Sequence, residues 1–271
     1  MFVKTATPEG AQGASAAMPR HGWMKSIALH LLPGIPIVLG FLAIGFVTKD
    51  NPAWTPFYSL VLAALFVEFP FLIWLTHYLI SREIKAGQVE NREAGIPYRA
   101  RQPMWVWLVA VLLIIFAGGL NVAVTEPLSA PFSALQAAYP DWAVLNFDPR
   151  SFGRAYVASP PLFIGMWVLS LPALMVAGGI AQEYYFRGYL LPRMPKAGLG
   201  APLANALLFS VFHLTSPWAI IARLPYVLIF SLTAFWRRSL NLGIFIHAGM
   251  GIALFSLSSV FLYIGISRAL G

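Results

Sequence analysis

Long apolar runs separated by short polar connections organise this chain. Runs at about 24–47, 57–80, 104–124, 160–185, 199–215, 217–236 and 240–268 reach or approach the ~18 residues that read as a membrane-crossing helix. They predict seven spans. A break at Gly249 and Gly251 would divide the last run and give eight elements. The expected fold class is all-α, a polytopic transmembrane helix bundle around an intramembrane chamber. Residues 1–23, centred on GAQGASAAMP, are small, polar and aperiodic, which predicts a disordered tail before a membrane domain over 24–271. No cleavable signal peptide is expected, because the first apolar run comes late and is long enough to span. The stretch 125–159 is rich in proline and aromatic residues and has the length of an external cap or lid.

Composition agrees with the pattern. Hydrophobic residues make up 59% and charged residues 10% of the 271, with a mean hydropathy of +0.72, which leaves too little polar sequence to cover a soluble core. The absence of cysteine excludes disulfides, cysteine catalysis and thiolate metal sites. A net charge of +8 would suggest nucleic acid in a soluble protein. Here no nucleic-acid motif accompanies it, and none is expected as a partner. Thirteen of the eighteen Lys and Arg residues fall on one side if the N-terminus is cytoplasmic, so the distribution predicts N-in and C-out, with the lipid bilayer as the surrounding partner. There is no internal repeat of the kind many transporters carry, and too few polar residues to line a continuous channel.

Ionisable groups at bilayer depth are costly and mark functional candidates. The apolar runs contain Glu68, Glu183, Arg187, His213, Arg223 and His247. If residues 195–202 form a turn, Glu183 and His213 lie about 20 to 25 Å along antiparallel helices from it, and His247 about 12 Å into the last helix. Three segments thus converge on one chamber. Glu183 and Arg187 share a face, as do Asn205, Phe209 and His213, and also Gly243, His247 and Gly251. Gln182 is turned by about 100° from Glu183, so only one of the two points squarely at the histidines. Glu68, beside Pro70, is expected to cap the freed backbone or to pair with a cation such as Arg223. His30 and His77 fall nearer helix ends and need no function. RGYLLPRMPK (187–196) is expected at the inner interface with its basic groups toward headgroups, and the aromatics around Arg187 either line a lipid or prenyl groove or simply pack.

These residues carry a family resemblance. Gln182-Glu183-Tyr184-Tyr185-Phe186-Arg187-Gly188, then Phe209-Ser210-Val211-Phe212-His213, then His247-Ala248-Gly249-Met250-Gly251 resemble the Glu-Glu-x-x-x-Arg-Gly, Phe-x-x-x-His and His-x-x-x-Asn motifs of the CPBP intramembrane proteases. That family includes the Rce1-type CAAX prenyl endopeptidases. The resemblance covers roughly 160–270, with Gln182 at the family's first glutamate and Gly251 at its asparagine. It implies hydrolysis of a peptide bond in a membrane-associated or lipidated protein substrate, and the size and style of the chain point to a bacterial-type plasma membrane.

The resemblance implies water activation by Glu183 and His213 and oxyanion stabilisation by His247. Gln182 cannot take a proton but can orient a water. Glu183 is the remaining base candidate, or else a buried partner of Arg187 that braces the helix. Glu183, His213 and His247 also make a His2Glu set of the kind that holds catalytic zinc, so a metal and a metal-free mechanism both stand. Glycine at 251 removes an oxyanion donor. The two departures motivate an alternative from another class, a pseudoprotease that binds a membrane peptide or protein without cutting it.

Overall fold

The computed structural model describes residues 18–145, 149–195 and 198–270. Of the expected tail, residues 1–17 lie outside this range, whereas His21 is buried against the bundle. The described chain is helical throughout, with one antiparallel bridge between Arg99 and Ser239.

Prolines set where the helices divide. The first run forms α1 (Trp23–Leu31) and α2 (Gly34–Thr48), separated at Pro33, which has no N–H to continue the ladder. The second runs from α3 (Pro56–Ala63) through a π-helical turn, Ala64–Glu68, into α4 (Phe69–Lys85). Pro70 removes a donor there, and the wider turn, with Phe69 N–H reaching back to the Ala64 carbonyl, absorbs the defect. Next come α5 (Met104–Thr125), α6 (Ser129–Gln136), α7 (Pro149–Ala158) and α8 (Pro160–Ser170). The α8 helix continues through π-helical Leu171–Gly178, α9 (Gly179–Gln182) and π-helical Glu183–Leu190 to Arg193. The chain ends with α10 (Gly200–Phe212), α11 (Ile220–Arg237) and α12 (Leu240–Leu270).

Six of these stretches are long and apolar enough to cross a membrane: Trp23–Thr48, Pro56–Lys85, Met104–Thr125, Pro160–Arg193, Pro217–Arg237 and Leu240–Ile264. The protein is an integral membrane helix bundle. The expected fifth span is the exception. With 13 residues, α10 reaches only about 20 Å, short of a ~30 Å hydrocarbon layer, and it stops at His213, whose ψ of 67° leaves the helix. The last helix continues unbroken through Gly249 and Gly251, so the division into two pieces does not occur.

The two ends of the bundle differ. At the basal end, backbone hydrogen bonds tie His21 N–H to the Arg193 carbonyl, Ala100 N–H to Arg238 and Leu240 N–H to Tyr98. At the distal end, the expected lid over 125–159 folds partly as α6 and α7, and the Tyr139 ring lies 6.3 Å from Trp218, just beyond the turn after α10. Between them, Tyr185, Phe186, Tyr189 and Leu190 pack on Phe209 and Phe212 to form the main core.

The basic groups of 187–196 do not all face headgroups as expected. Arg193 is fully buried, donating from Nε and Nη2 to both oxygens of Glu83 at 2.7 to 3.2 Å. Tyr189 Oη donates to the same carboxylate at 2.9 Å. Low-dielectric surroundings favour this bidentate pairing over two separately desolvated charges.

Removing the charge with Glu83→Gln leaves Arg193 buried and unpaired, and is expected to cost about 3 to 5 kcal/mol, read as a lower unfolding midpoint in lipid or detergent. His21 adds a pH term. Burial holds its imidazole below the ordinary value, with Glu83 opposing. The unfolded chain therefore takes up a proton near pH ~6.5 that the fold resists, so His21 lowers stability as pH falls through that range. His21→Phe should flatten the acid side of the stability profile.

Candidate functional site

The widened turn Glu183–Leu190 sets Glu183 and Arg187 facing α11 and α12 in the bundle interior, both with 0% exposure. Glu183 Oε1 lies 2.9 Å from His247 Nδ1 and 3.1 Å from Arg187 Nη1. A carboxylate only accepts, so the His247 proton sits on Nδ1 and Nε2 is left for other chemistry. The Arg187 contact is an ion pair without hydrogen-bond alignment, because Nη1 has no aligned acceptor. Its Nη2 donates to Ser231 Oγ at 3.3 Å and the guanidinium lies 4.1 Å over the Phe209 ring. Glu183 Oε2 and Arg187 Nε are buried with no hydrogen-bond partner. One carboxylate and one guanidinium cancel, which is what lets ionic groups persist at this depth.

Small residues bring α12 close enough for the contact. A Cβ on Gly243 would stand 2.9 Å from Glu183 Oε2, and one on Gly179 only 3.2 Å from the Ala248 Cβ. Both backbones approach as small-residue helix pairs do in membranes.

His213 owes its place to the early end of α10. Its Nδ1 is 3.0 Å from the Phe209 carbonyl, which can only accept, so Nδ1 carries the proton and the side chain caps its own helix. Arg223 completes the cap, donating from Nη1 to the Ser210 carbonyl at 2.9 Å and from Nη2 to Ser216 Oγ at 2.6 Å. The His213 and His247 rings both lie against Phe209, with centroids 4.7 and 6.2 Å from it. Phe230 stacks on the other side of His247 at 4.7 Å.

The expected residues therefore assemble unevenly. Glu183, Arg187 and His247 touch, and His213 is one ring away. Gln182 turns to the next face, where its Nε2 donates to Glu68 Oε1 at 2.5 Å. Glu68 thus pairs with an amide, not with Arg223 as expected, since Arg223 is engaged by Ser210 and Ser216. Gly251 faces Met175: an added Cβ would meet Sδ at 2.9 Å and Cβ at 3.3 Å. The place of an asparagine side chain is filled by methionine.

Among the described residues no three His, Cys, Asp or Glu side chains form a group that could hold a metal ion, so Glu183, His213 and His247 do not come together as the His2Glu set expected of zinc.

One part of the site lay beyond the expectation. His30, given no function from its sequence position, is fully buried. Its Nδ1 is 2.7 Å from the Ser26 carbonyl and so donates, and its Nε2 accepts from Asn205 Nδ2 at 3.0 Å. Asn205 Oδ1 accepts from Ser231 Oγ at 3.0 Å, which continues to Arg187. A polar chain thus joins α1 to Glu183, and its signal was the four-residue spacing of Ser26 and His30 on one buried face.

Residues 164–253 match the family model of the type II CAAX prenyl endopeptidase Rce1-like proteins. That is the family to which the order of the three motifs points, and the match takes in Gln182, Glu183, Arg187, His213, His247 and Gly251. It supports an intramembrane-protease type of function acting on peptide substrates. No curated protein and no solved structure matches the chain.

The Met175 contact makes a prediction. Gly251→Asn should lower stability by about 1 to 3 kcal/mol through overpacking, and Met175→Ala introduced with it should recover part of that loss, both read by unfolding midpoints.

Proposed function

We propose that the chain is an intramembrane endopeptidase that hydrolyses a peptide bond in a membrane-associated or lipidated protein, in a bacterial-type plasma membrane with its N-terminus cytoplasmic. The contact between His247 Nδ1 and the fully buried Glu183 carboxylate at 2.9 Å is the observation that carries this reading.

Glu183 is better suited to holding His247 than to acting as the base, because its Oε1 already accepts from His247 Nδ1 and faces the Arg187 guanidinium. The base is His213. With Nδ1 donating to Phe209, its Nε2 lone pair takes a proton from water as the water oxygen bonds to the scissile carbonyl carbon. His247 enters this step doubly protonated, donating Nδ1–H to Glu183 and Nε2–H to the carbonyl oxygen, whose developing negative charge offsets that of the ring. When the tetrahedral adduct collapses, the C–N bond breaks and the leaving amine takes the proton from His213. Arg187 fixes Glu183 in place, and the Phe209 ring separates the two imidazoles.

The filled place of Gly251 favours a second reading, binding of a membrane peptide without cutting, because a side-chain donor to the oxyanion is missing there. Purified protein in lipid, offered transmembrane and lipidated peptides, distinguishes the two. His213→Ala should lower kcat by about 10²- to 10⁴-fold with the fold intact, and Glu183→Gln should also lower it by releasing His247. Peptides that bind but stay uncut by wild type, or cleavage equal in wild type and His213→Ala, would overturn the peptidase reading.

A further inference from the structure

Among the described residues three carboxylates are buried in the membrane-crossing helices, and two of them meet arginine: Glu83 with Arg193 and Glu183 with Arg187. Glu68 is different. It is 6% exposed, lies outside the 164–253 match, and accepts from an amide, Gln182 Nε2, at 2.5 Å. A buried carboxylate answered only by an amide is a poor way to stabilise a bundle, since the desolvation cost is not offset by an opposite charge. Its chemical consequence is specific. A carboxylate offers acceptors only, so it fixes which end of the Gln182 amide faces it, the NH2, and turns the carbonyl oxygen the other way.

The surrounding rings show the height at which that amide stands. Gln182 lies one turn from Phe186 on the same face, and the Phe186 ring is 4.8 Å from both Phe209 and Phe212. Phe212 in turn is 5.1 Å from the His213 ring. Stepping from Phe186 to Gln182 moves away from the basal end, as stepping from Phe209 to His213 does. Gln182 therefore comes level with His213 along the bundle.

We infer that Glu68 is a positioning residue of the site, acting through Gln182. It holds the Gln182 carbonyl oxygen to accept one hydrogen of the attacking water, while His213 Nε2 takes the other as a proton. The water oxygen bonds to the scissile carbon, and no proton passes through the amide. This rests on the peptidase reading above and adds to it a carboxylate from the second membrane helix. Glu68 needs no contact with substrate to act this way. The π-helical turn over Ala64–Glu68 places it, and widened turns of this kind recur at functional sites.

The test is a cycle on the full chain in lipid, with the transmembrane and lipidated peptides as probes and unfolding midpoints recorded for each variant. E68Q is isosteric but leaves either amide free to flip. It is expected to keep the midpoint and KM while kcat falls by roughly ten- to a hundredfold, the scale of a misplaced reacting group. In a Q182A background, where the carbonyl is gone, adding E68Q should change kcat no further. A merely structural Glu68 would move the midpoint and leave kcat per folded molecule unchanged. Should E68Q fail to fold, E68M is compared in the wild-type and Q182A backgrounds: a kcat loss seen only where Gln182 is present supports the inference, and equal losses in both backgrounds overturn it. Wild-type cleavage that depends on His213 but is matched by E68Q overturns this inference alone. Absence of wild-type cleavage overturns the peptidase reading, and this one with it.

Discussion

A fully buried carboxylate needs neutralising partners inside a membrane, and the arrangement around Glu183 follows from that need. Arg187 supplies the charge and His247 the hydrogen bond. Each partner is then held in turn, Arg187 by Ser231 and the Phe209 face and His247 by the Phe230 ring. Gly243 and Gly179 let α12 close on the carboxylate. The carboxylate and the guanidinium offset one another, and the Nε2 edge of His247 is left outside these contacts.

The short helix α10 is the second constraint. Because it ends within the bundle, its last carbonyl groups need donors that the helix itself does not supply. His213 and Arg223 provide them, and capping fixes the His213 tautomer. A local backbone defect thereby gives His213 a defined lone pair at Nε2. The turn beyond it is met by the distal segment through Tyr139 and Trp218.

Much of this was legible in the sequence. The apolar runs give the helices, and helical spacing gives the shared face of Glu183 and Arg187 and the approach of His247. Pairing was harder to read, because it depends on which faces oppose each other across the bundle. Glu68 belongs with Gln182, and Arg193 with Glu83. The second was within reach: Leu72, Thr76, Ile80 and Glu83 follow one buried stripe at helical spacing, so Glu83 continues a core-facing line. His30 was hidden by its position near a helix end, where a polar group ordinarily finds water or headgroups. The length of α10 was obscured because an apolar run continues past His213, and only the competition for capping donors ends the helix there.

The central claim, that water activated at His213 opposite a Glu183-held His247 cuts a peptide bond, is tested most directly by carrying out the reaction in water enriched in heavy oxygen and weighing the products. The account predicts that wild type yields a new carboxyl terminus carrying one heavy oxygen, and that His213→Ala, folded and in the same lipid, yields none. Intact peptide with the wild type, or labelled product undiminished in His213→Ala, would contradict it.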